Sequence, residues 1–469
     1  VNSIWPSAEF YCTDQWGLGS GQWLRLGQGL VNSRPVFRFQ TWQAASWVAL
    51  VSLLVGCGAE QSSDLSPEAV PAKPEVEAPP APVSESEPVQ PTALTAETAP
   101  LSDPLSRNAE PTLADSVHYV YPGNDLQAVL DAAAKDPNRK HVKVYAGVYR
   151  PRQHGQALIW LNKQHDGITL EAVGEVILTA ANPEIANENH EGYPAIVNHV
   201  VYFGDGITRN TVLRGFKITG ANNFVTESNE SGPIQPELSE PRLEKNLFFY
   251  TDGGGIKIFG RSYPTIENVE IYDNYSSPCG AGISIDHREY TGGVVLLKNC
   301  IFRNNRCPVT GSAVDLLWGS AAVIENCLFV GNKSNGPLDK RSAEVGKWKP
   351  EHGAGALTLF PGSRVIVRRC TFTGNRNGVD DSGAGSVYED SIFWMNNAEG
   401  GWPTGARYEV DIKGTSVIHR CFLNGDTIDL KGNLDSTKNS LGCPDPEFDK
   451  FFRPRAKEFA DAGYRPIPD

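Results

Sequence analysis

The stretch NCIFRNN, from Asn299 to Asn305, returns along the chain in close copies. NCLFVGN occupies residues 326–332, RCTFTGN residues 369–375 and DSIFWMN residues 390–396. Each copy has Cys or Ser second, Phe fourth and Asn last. Alternate residues of a β-strand face the same side, so the second and fourth positions are predicted to point into a core. Repetition at starts 27, 43 and 21 residues apart predicts a stacked repeat protein.

A second, Gly-rich motif alternates with the first. It reads GGGIKIFG from residue 253, GAGISIDH from 280, GSAVDLLW from 311 and GAGALTLF from 353. A unit this short cannot bury a core alone, but stacked units place Cys on Cys and Phe on Phe at about 4.8 Å per rung. Asn tolerates the left-handed backbone conformation, so two sets of Asn are predicted to mark corners of the coil. These are Asn268, Asn299 and Asn326, then Asn274, Asn305, Asn332, Asn375 and Asn397.

With these motifs, residues from Val117 to the C-terminal region resemble the right-handed parallel β-helix superfamily of the pectate lyases. The resemblance implies an all-β, single-stranded, right-handed parallel β-helix (solenoid) with an N-terminal capping helix. The segment LQAVLDAAA from Leu126 supplies one apolar helical face, with an N-cap expected at Asn124 and Gln127 at N3. The tail from Asp445 to Gly463 is expected to cover the other end.

The chain divides into three predicted regions: residues 1–57, 58–115 and 116–469. The middle region is rich in Pro, Ala, Glu and Ser, which cannot bury enough apolar surface to fold, so it is predicted to be an extended tether. It holds 11 acidic residues against Lys73 and Arg107, most of the chain's net charge of −13. The remainder is mildly acidic without a basic patch, which argues against nucleic acid as a partner.

The first region ends in an export signal. Arg34 and Arg38 precede a short apolar run from Ala44 to Gly56, the order typical of a secretory signal rather than of a membrane-spanning helix. Residues before Arg34 lack a Met start, which suggests a translation start further along. The sequence Leu54-Val55-Gly56-Cys57 resembles a bacterial lipobox. That resemblance implies lipidation of Cys57 and anchoring to the outer membrane or cell surface.

The cysteines fall into two groups. Cys300, Cys327, Cys370 and Cys421 share the inward position and are predicted to be small buried apolar residues. No pair has the short spacing of a zinc site. Cys279 and Cys307 are predicted to lie in loops of adjacent coils, and an exported protein could keep them reduced or join them in a disulfide.

Four insertions are predicted to share one edge of the solenoid and to wall a groove. They span residues 222–252, 333–352, 376–381 and 398–407. Strand parity turns Lys257, Ser284 and Asp315 outward in one row of its floor, with Asp286 in the next. Lys257 or Arg288 as a base, with Asp286 and Asp315, gives a candidate catalytic group for β-elimination from a uronate. The same row could equally be an ordinary solvated face.

Calcium and carbohydrate ligands are also predicted along this groove. Asp252, Asp380 and Asp381 offer hard oxygen ligands for Ca²⁺, the only cofactor expected, and only if the protein is a lyase. The alternative for Asp380 and Asp381 is a turn. Trp318, Trp348 and Trp402 could stack on sugar rings. Family motifs give little support for a specific enzyme. The sequence Tyr250-Thr251-Asp252-Gly253 resembles one polygalacturonase motif only in part, and no Gly-His-Gly follows.

The sequence therefore predicts a cell-surface β-helix protein that binds or cleaves polysaccharide, with lyase chemistry favoured over hydrolysis if it is an enzyme. Its expected partners are a polysaccharide and, through the lipid anchor, a membrane. The alternative is a structural or adhesive envelope solenoid without catalysis.

Overall fold

The computed structural model describes residues 116–222, 252–276, 279–317, 319–334, 336, 353–396, 408–425, 430–432, 434 and 436–466. Nearly all the regular structure is short parallel strands, numbered β1 to β29 in chain order. Sheet A contains β1 (Val117–Val120), β2 (His141–Tyr149), β4 (Thr169–Thr179), β6 (Val212–Arg214), β7 (Lys217–Thr219), β9 (Thr265–Glu267), β10 (Glu270–Tyr272), β12 (Val295–Lys298), β13 (Ile301–Arg303), β16 (Ala321–Glu325), β17 (Leu328–Val330), β20 (Arg364–Arg368), β21 (Thr371–Thr373), β23 (Val387–Glu389), β24 (Ile392–Trp394), β26 (Val417–His419), β27 (Phe422–Leu423) and β29 (Ser440–Leu441).

Sheet B is the second wall of the solenoid. It contains β3 (Gly155–Leu161), β5 (Val197–Phe203), β8 (Ile256–Phe259), β11 (Ile283–Asp286), β15 (Val314–Leu317), β19 (Leu357–Leu359), β22 (Val379–Asp381), β25 (Val410–Ile412) and β28 (Leu430–Lys431). Two further strands, β14 (Arg306–Cys307) and β18 (Lys333–Ser334), pair with each other. From β5 to β27 each coil contributes one strand to sheet B and then two to sheet A, so equivalent residues of successive coils lie on top of one another.

The repeated Phe and Cys residues form interior ladders, as the sequence predicts. Phe302, Phe329, Phe372 and Phe393 stack with ring centroids 4.7, 4.3 and 5.0 Å apart. Cys300, Cys327, Cys370 and Cys421 are all buried with free thiols. The backbone N–H groups of Cys300 and Cys327 each donate to the sulfur one coil further on, at 3.4 Å. The cysteines therefore fill the core and also satisfy backbone donors.

Both sets of Asn lie at corners of the coil, but only the first set adopts the left-handed conformation itself. Asn268, Asn299 and Asn326 have φ values of 56°, 55° and 52° and join the two sheet A strands of a coil. This is the left-handed conformation that Asn tolerates. In the second set the left-handed residue is the one before the Asn, as at Asp273 and Asn304.

The second Asn set instead forms a buried hydrogen-bonded ladder. Asn274, Asn305, Asn332 and Asn375 each donate from Nδ2 to the next side chain, at distances of 2.7–3.1 Å. Asn396, not Asn397, is the next member, and its Nδ2 donates to Glu409 at 2.6 Å. Each amide also bonds backbone groups of neighbouring coils, so the ladder fixes the stacking at this corner.

A row of alternating charges on the outer face of sheet A was not predicted. In register order it contains Lys143, Glu171, Arg214, Glu267, Lys298, Glu325, Arg368, Glu389 and His419. Arg368 Nε lies 3.1 Å and His419 Nε2 2.9 Å from the carboxylate of Glu389. Opposite charges on facing strands stabilise a sheet modestly, and like charges destabilise it, so the row disfavours misaligned stacking.

The N-terminal helix α1 (Leu126–Lys135) buries Leu126, Leu130 and Ala133 in the core of the first coil. Its N-cap is Asp125 rather than Asn124, because the Asp125 carboxylate accepts from the backbone N–H of Ala128 at 3.1 Å. Asn124 instead accepts from the N–H of Tyr121. No helix in the described ranges is long and apolar enough to cross a bilayer.

The C-terminal tail lies along a flank of the solenoid, so the predicted end cover is not what the structure shows. Phe459, in the 3₁₀ helix Lys457–Phe459, packs with Ile392, Cys443 and Phe422 on the outer face of sheet A. Further along, the backbone N–H groups of Gly463 and Tyr464 donate to Asp390 O and Thr371 Oγ1. The tail thus runs back across several coils and buries an apolar strip of their outer surface.

Candidate functional site

The predicted outward row on sheet B is present, and it extends further than predicted. Register places Lys257, Ser284, Asp315, Thr358, Asp380 and Asp411 side by side on successive strands. The row is not the open groove floor that parity alone suggested. Lys257, Ser284 and Asp315 have no solvent exposure. A row of charged groups in a low dielectric must satisfy its polar atoms within the protein.

Lys257 lies in a closed ion pair, which contradicts its predicted role as a base. Its Nζ lies 2.6 and 2.7 Å from the two carboxylate oxygens of Asp252 and 3.2 Å from Ser284 Oγ. Ser284 in turn donates to Asp252 Oδ2 at 2.7 Å. An ammonium that donates to a carboxylate has no lone pair for a substrate proton. Lys257 and Asp252 therefore neutralise each other. Because both oxygens of Asp252 contact Lys257, Asp252 does not serve as the predicted calcium ligand.

Asp315 is a buried carboxyl group whose pKa is shifted into the neutral range. Its Oδ2 accepts from Thr310 Oγ1 at 2.7 Å and from the N–H of Gly280 at 3.1 Å. Its Oδ1 has no hydrogen-bond partner among the described residues. Burial raises the pKa of Asp315 to about 7, against the opposing effect of these donors. Such a group can exchange a proton at physiological pH.

Asp286 is the second carboxyl group of this kind. It follows Ser284 by two residues on β11, so both side chains leave the same face. Oδ1 accepts from the N–H of Arg288 at 3.1 Å, whereas the buried Oδ2 has no partner within the described ranges. Burial raises the pKa of Asp286 to about 6. Arg288 itself is exposed, at φ 51°, with its guanidinium 5.9 Å from the Phe259 ring.

The predicted metal site does not form, because its carboxylates are separated. Asp380 and Asp381 are consecutive on β22 and leave opposite faces. Asp380 lies in the outward row, where Oδ2 accepts from Tyr408 at 2.6 Å. Asp381 lies level with Leu359 and Ile412 in the core and accepts from Tyr388 at 3.0 Å. In the part of the chain that the structure describes, no cluster of three His, Cys, Asp or Glu could hold a metal ion.

The remaining predicted site residues are only partly described. Trp318, Trp348 and Trp402 lie outside the described residues, as do Cys57 and nearly all of three insertions. The fourth, residues 376–381, is not an insertion, since Val379–Asp381 forms strand β22. Cys279 and Cys307 are both buried, and no disulfide joins them.

Sequence reasoning missed Thr310, Tyr408 and Lys413. Thr310 and Tyr408 hydrogen-bond Asp315 and Asp380 from outside the strands, so strand parity gave no signal for them. Lys413 could have been found by extending the register one residue beyond β25. Its Nζ lies 3.6 Å from Asp380 Oδ1 and 3.6 Å from Asp411 Oδ2, and its side chain is 47% exposed.

A family model for a "right handed beta helix region" matches residues 166–345. The crystal structure of pectate lyase Pel9A is similar to this chain at 15% sequence identity and a TM-score of 0.33, covering 68% of this chain and 81% of the other. No curated protein matches. The stacked parallel strands, together with the family match, identify the fold as a right-handed parallel β-helix.

Proposed function

We propose that the protein binds and cleaves a polysaccharide at the outward face of sheet B, with Asp286 and Asp315 as its acid and base. The observation that carries this proposal is the pair of buried carboxyl groups whose pKa values are raised to about 6 and about 7. Asp286 lies two residues after Ser284 on β11, and Asp315 lies opposite Ser284 on β15, so the two carboxyl groups are diagonal neighbours. Strand geometry separates their Cα atoms by about 8 Å.

The pair favours hydrolysis over the uronate elimination that the sequence suggested. Elimination was predicted with Lys257 or Arg288 as the base, but Lys257 is bonded to Asp252, and a guanidinium such as that of Arg288 has no lone pair for a substrate proton. In hydrolysis with inversion, one carboxylic acid protonates the glycosidic oxygen while a carboxylate activates water, across a carboxyl separation of about 6.5–9.5 Å. Asp315, with the higher pKa, is assigned as the acid and Asp286 as the base. Both are inaccessible to solvent here, so substrate binding must accompany a change of conformation.

The predicted lipidation signal and tether of the N-terminal region support a location for this activity at the cell envelope. A lipid at Cys57 and the acidic tether of residues 58–115 would hold the β-helix at the outer membrane or cell surface, within reach of a polymer. The test is metabolic labelling with a palmitate analogue, with Cys57→Ser as control. Label on the wild type and none on the variant is expected. Label on neither would contradict the anchor.

The reaction is tested by incubating the full chain with pectate, alginate, glycosaminoglycans and neutral glucans. New reducing ends without absorbance near 235 nm indicate hydrolysis, the expected result. Absorbance near 235 nm that disappears with a chelator would instead indicate calcium-dependent elimination, the reaction for which the sequence predicted Ca²⁺. Asp315→Asn is expected to lower the rate at least a hundredfold, and Arg369→Gly, on the outer face of sheet A, is expected to leave it unchanged.

A non-catalytic envelope solenoid is the second candidate, favoured by a specific observation. Asp252, Lys257 and Ser284 satisfy one another and have no solvent exposure, as expected of a structural polar cluster. Under this candidate no polymer of the panel is cleaved.

A further inference from the structure

The outer face of sheet A carries an open groove, on a different wall from the carboxyl groups of sheet B. It has a volume of about 550 Å³, within the range of small-molecule sites. Ile301, Leu328 and Val330 form its floor, and the tail contributes Phe451, Phe452 and Tyr464 as an aromatic wall. Phe451 is 53% exposed. An exposed ring beside an apolar floor is suited to a ligand with apolar faces and polar edges.

One side of the groove is edged by the amides of the left-handed corner residues. Asn326 Nδ2 donates to Asn299 Oδ1 at 2.8 Å, and Asn299 Nδ2 donates to Asn268 Oδ1 at 3.1 Å. The remaining donor and acceptor of the Asn326 amide bond the backbone of the tail. Its Nδ2 donates to the carbonyl of Arg465 at 2.8 Å, and its Oδ1 accepts from the N–H of Arg465 at 2.7 Å.

Asn299 also has one N–H donor and one acceptor lone pair beyond its bonds to the neighbouring amides, and no described residue uses them. Its side chain lines the groove. Asn268, one coil nearer the N-terminus, has two N–H donors that no described residue accepts. The groove therefore presents hydrogen-bonding amides at intervals of about 4.8 Å. Arg303 and Glu270 also line the groove, and Arg303 Nη2 donates to Glu270 Oε1 at 2.8 Å.

The spacing of the amides distinguishes between an extended peptide and an oligosaccharide as the ligand. Groups on the same side of an extended peptide repeat at about 6.7 Å, too far apart to meet successive amides. A donor and an acceptor on one amide match two adjacent hydroxyl groups, one accepting and one donating. A sugar with a vicinal diol offers this pair together with an apolar ring face for Phe451.

We propose that this groove binds an oligosaccharide through vicinal hydroxyl groups, with Asn299 as the principal amide and Phe451 as the stacking ring. The site does not depend on activity at sheet B. It would hold a polymer along the solenoid axis as an ancillary binding site.

The test is isothermal titration of the full chain with cellohexaose, whose internal sugars carry 2,3-diols, and with laminarihexaose, whose internal sugars have none. Cellohexaose is expected to bind at least tenfold more tightly. Asn299→Gly removes the amide and keeps a residue suited to φ 55°. It is expected to weaken cellohexaose binding at least tenfold. Arg369→Gly, at the equivalent left-handed position outside the groove (φ 50°), is the matched control and is expected to bind as the wild type does.

Absence of cellohexaose binding to the wild type would overturn the proposal. So would equal affinity for laminarihexaose, or unchanged affinity in Asn299→Gly. Asp286→Asn with Asp315→Asn is expected to abolish cleavage and leave this binding intact. Loss of cleavage with the binding retained would show that the two sites are separate.

Discussion

At the residue scale, the decisive features are charges and carboxyl groups that are buried in the sheet B wall. Lys257 and Asp252 form an ion pair without solvent exposure. Breaking such a pair by removing one partner is far more costly than removing both, because the first leaves an uncompensated charge in a low dielectric. Asp315 and Asp286 face the same low dielectric, where burial outweighs the donors that contact them, and their pKa values rise accordingly.

Replacement of Lys257 by Met is expected to lower the free energy of unfolding by about 3–5 kcal/mol, because Asp252 loses the cation that both its oxygens contact. The double variant Lys257→Met, Asp252→Asn should recover most of this loss. Urea denaturation of the three proteins measures both values. A single variant within about 1 kcal/mol of the wild type would show that the pair is not buried in solution.

The raised pKa of Asp315 predicts a pH-dependent stability. The folded protein keeps a proton on this group up to about pH 7, whereas the unfolded chain loses it near pH 4. The stabilising contribution of that proton is full below about pH 4 and is lost as the pH rises to about 7. The stability of the wild type relative to Asp315→Asn should therefore fall by up to about 1.4 kcal/mol per pH unit across this window. A pH-independent difference would contradict the shift.

At the scale of the element, stacking is fixed by ladders that the repeat made predictable. The inward Phe and Cys positions follow directly from alternation, and the structure confirms them. The inward position of Asp381 was not predicted, because alternation assigns it to the core, where a carboxylate is not expected. The Tyr388 hydroxyl that compensates it comes from a neighbouring strand of sheet A. The burial of the sheet B row could not be predicted either, because strand alternation gives the direction of a side chain and not how deeply it is buried.

Asn332→Ala tests the contribution of the Asn ladder. The change removes hydrogen bonds to Asn305 N, at 3.0 Å, and to Phe302 O, at 3.0 Å, deep in the protein. Each unsatisfied buried group costs about 1–3 kcal/mol, so the free energy of unfolding should fall by at least about 2 kcal/mol. Val417→Ala, an exposed strand position, should change it by less than about 0.5 kcal/mol. Equal effects of the two changes would show that the ladder does not stabilise the stack.

At the scale of the whole molecule, the β-helix is a stack whose last coils depend on the tail. Ile392 and Phe422 face outward on sheet A, and Phe459 covers them, with its ring centroid 4.5 Å from that of Phe422. The sequence identified the tail as a covering segment but not its location, because the complementary apolar strip is spread over three coils.

Phe459→Ala is expected to loosen this contact. The lost packing corresponds to about 3–5 kcal/mol. Because coils interact mainly with their neighbours, amide hydrogen exchange should accelerate in β24 and β27 and remain unchanged in β2 and β4. Uniform acceleration would indicate instead that the solenoid unfolds as one unit.

The central claim is that Asp286 and Asp315 act on polysaccharide. The most direct measurement is the release of reducing ends from the polymer panel by the full chain between pH 4 and pH 9. We expect a bell-shaped profile with limbs near pH 6 and 7, the lower limb lost in Asp286→Asn and the upper in Asp315→Asn, each at a much reduced rate. No release from any polymer across this range, or a profile that neither substitution changes, would contradict the claim.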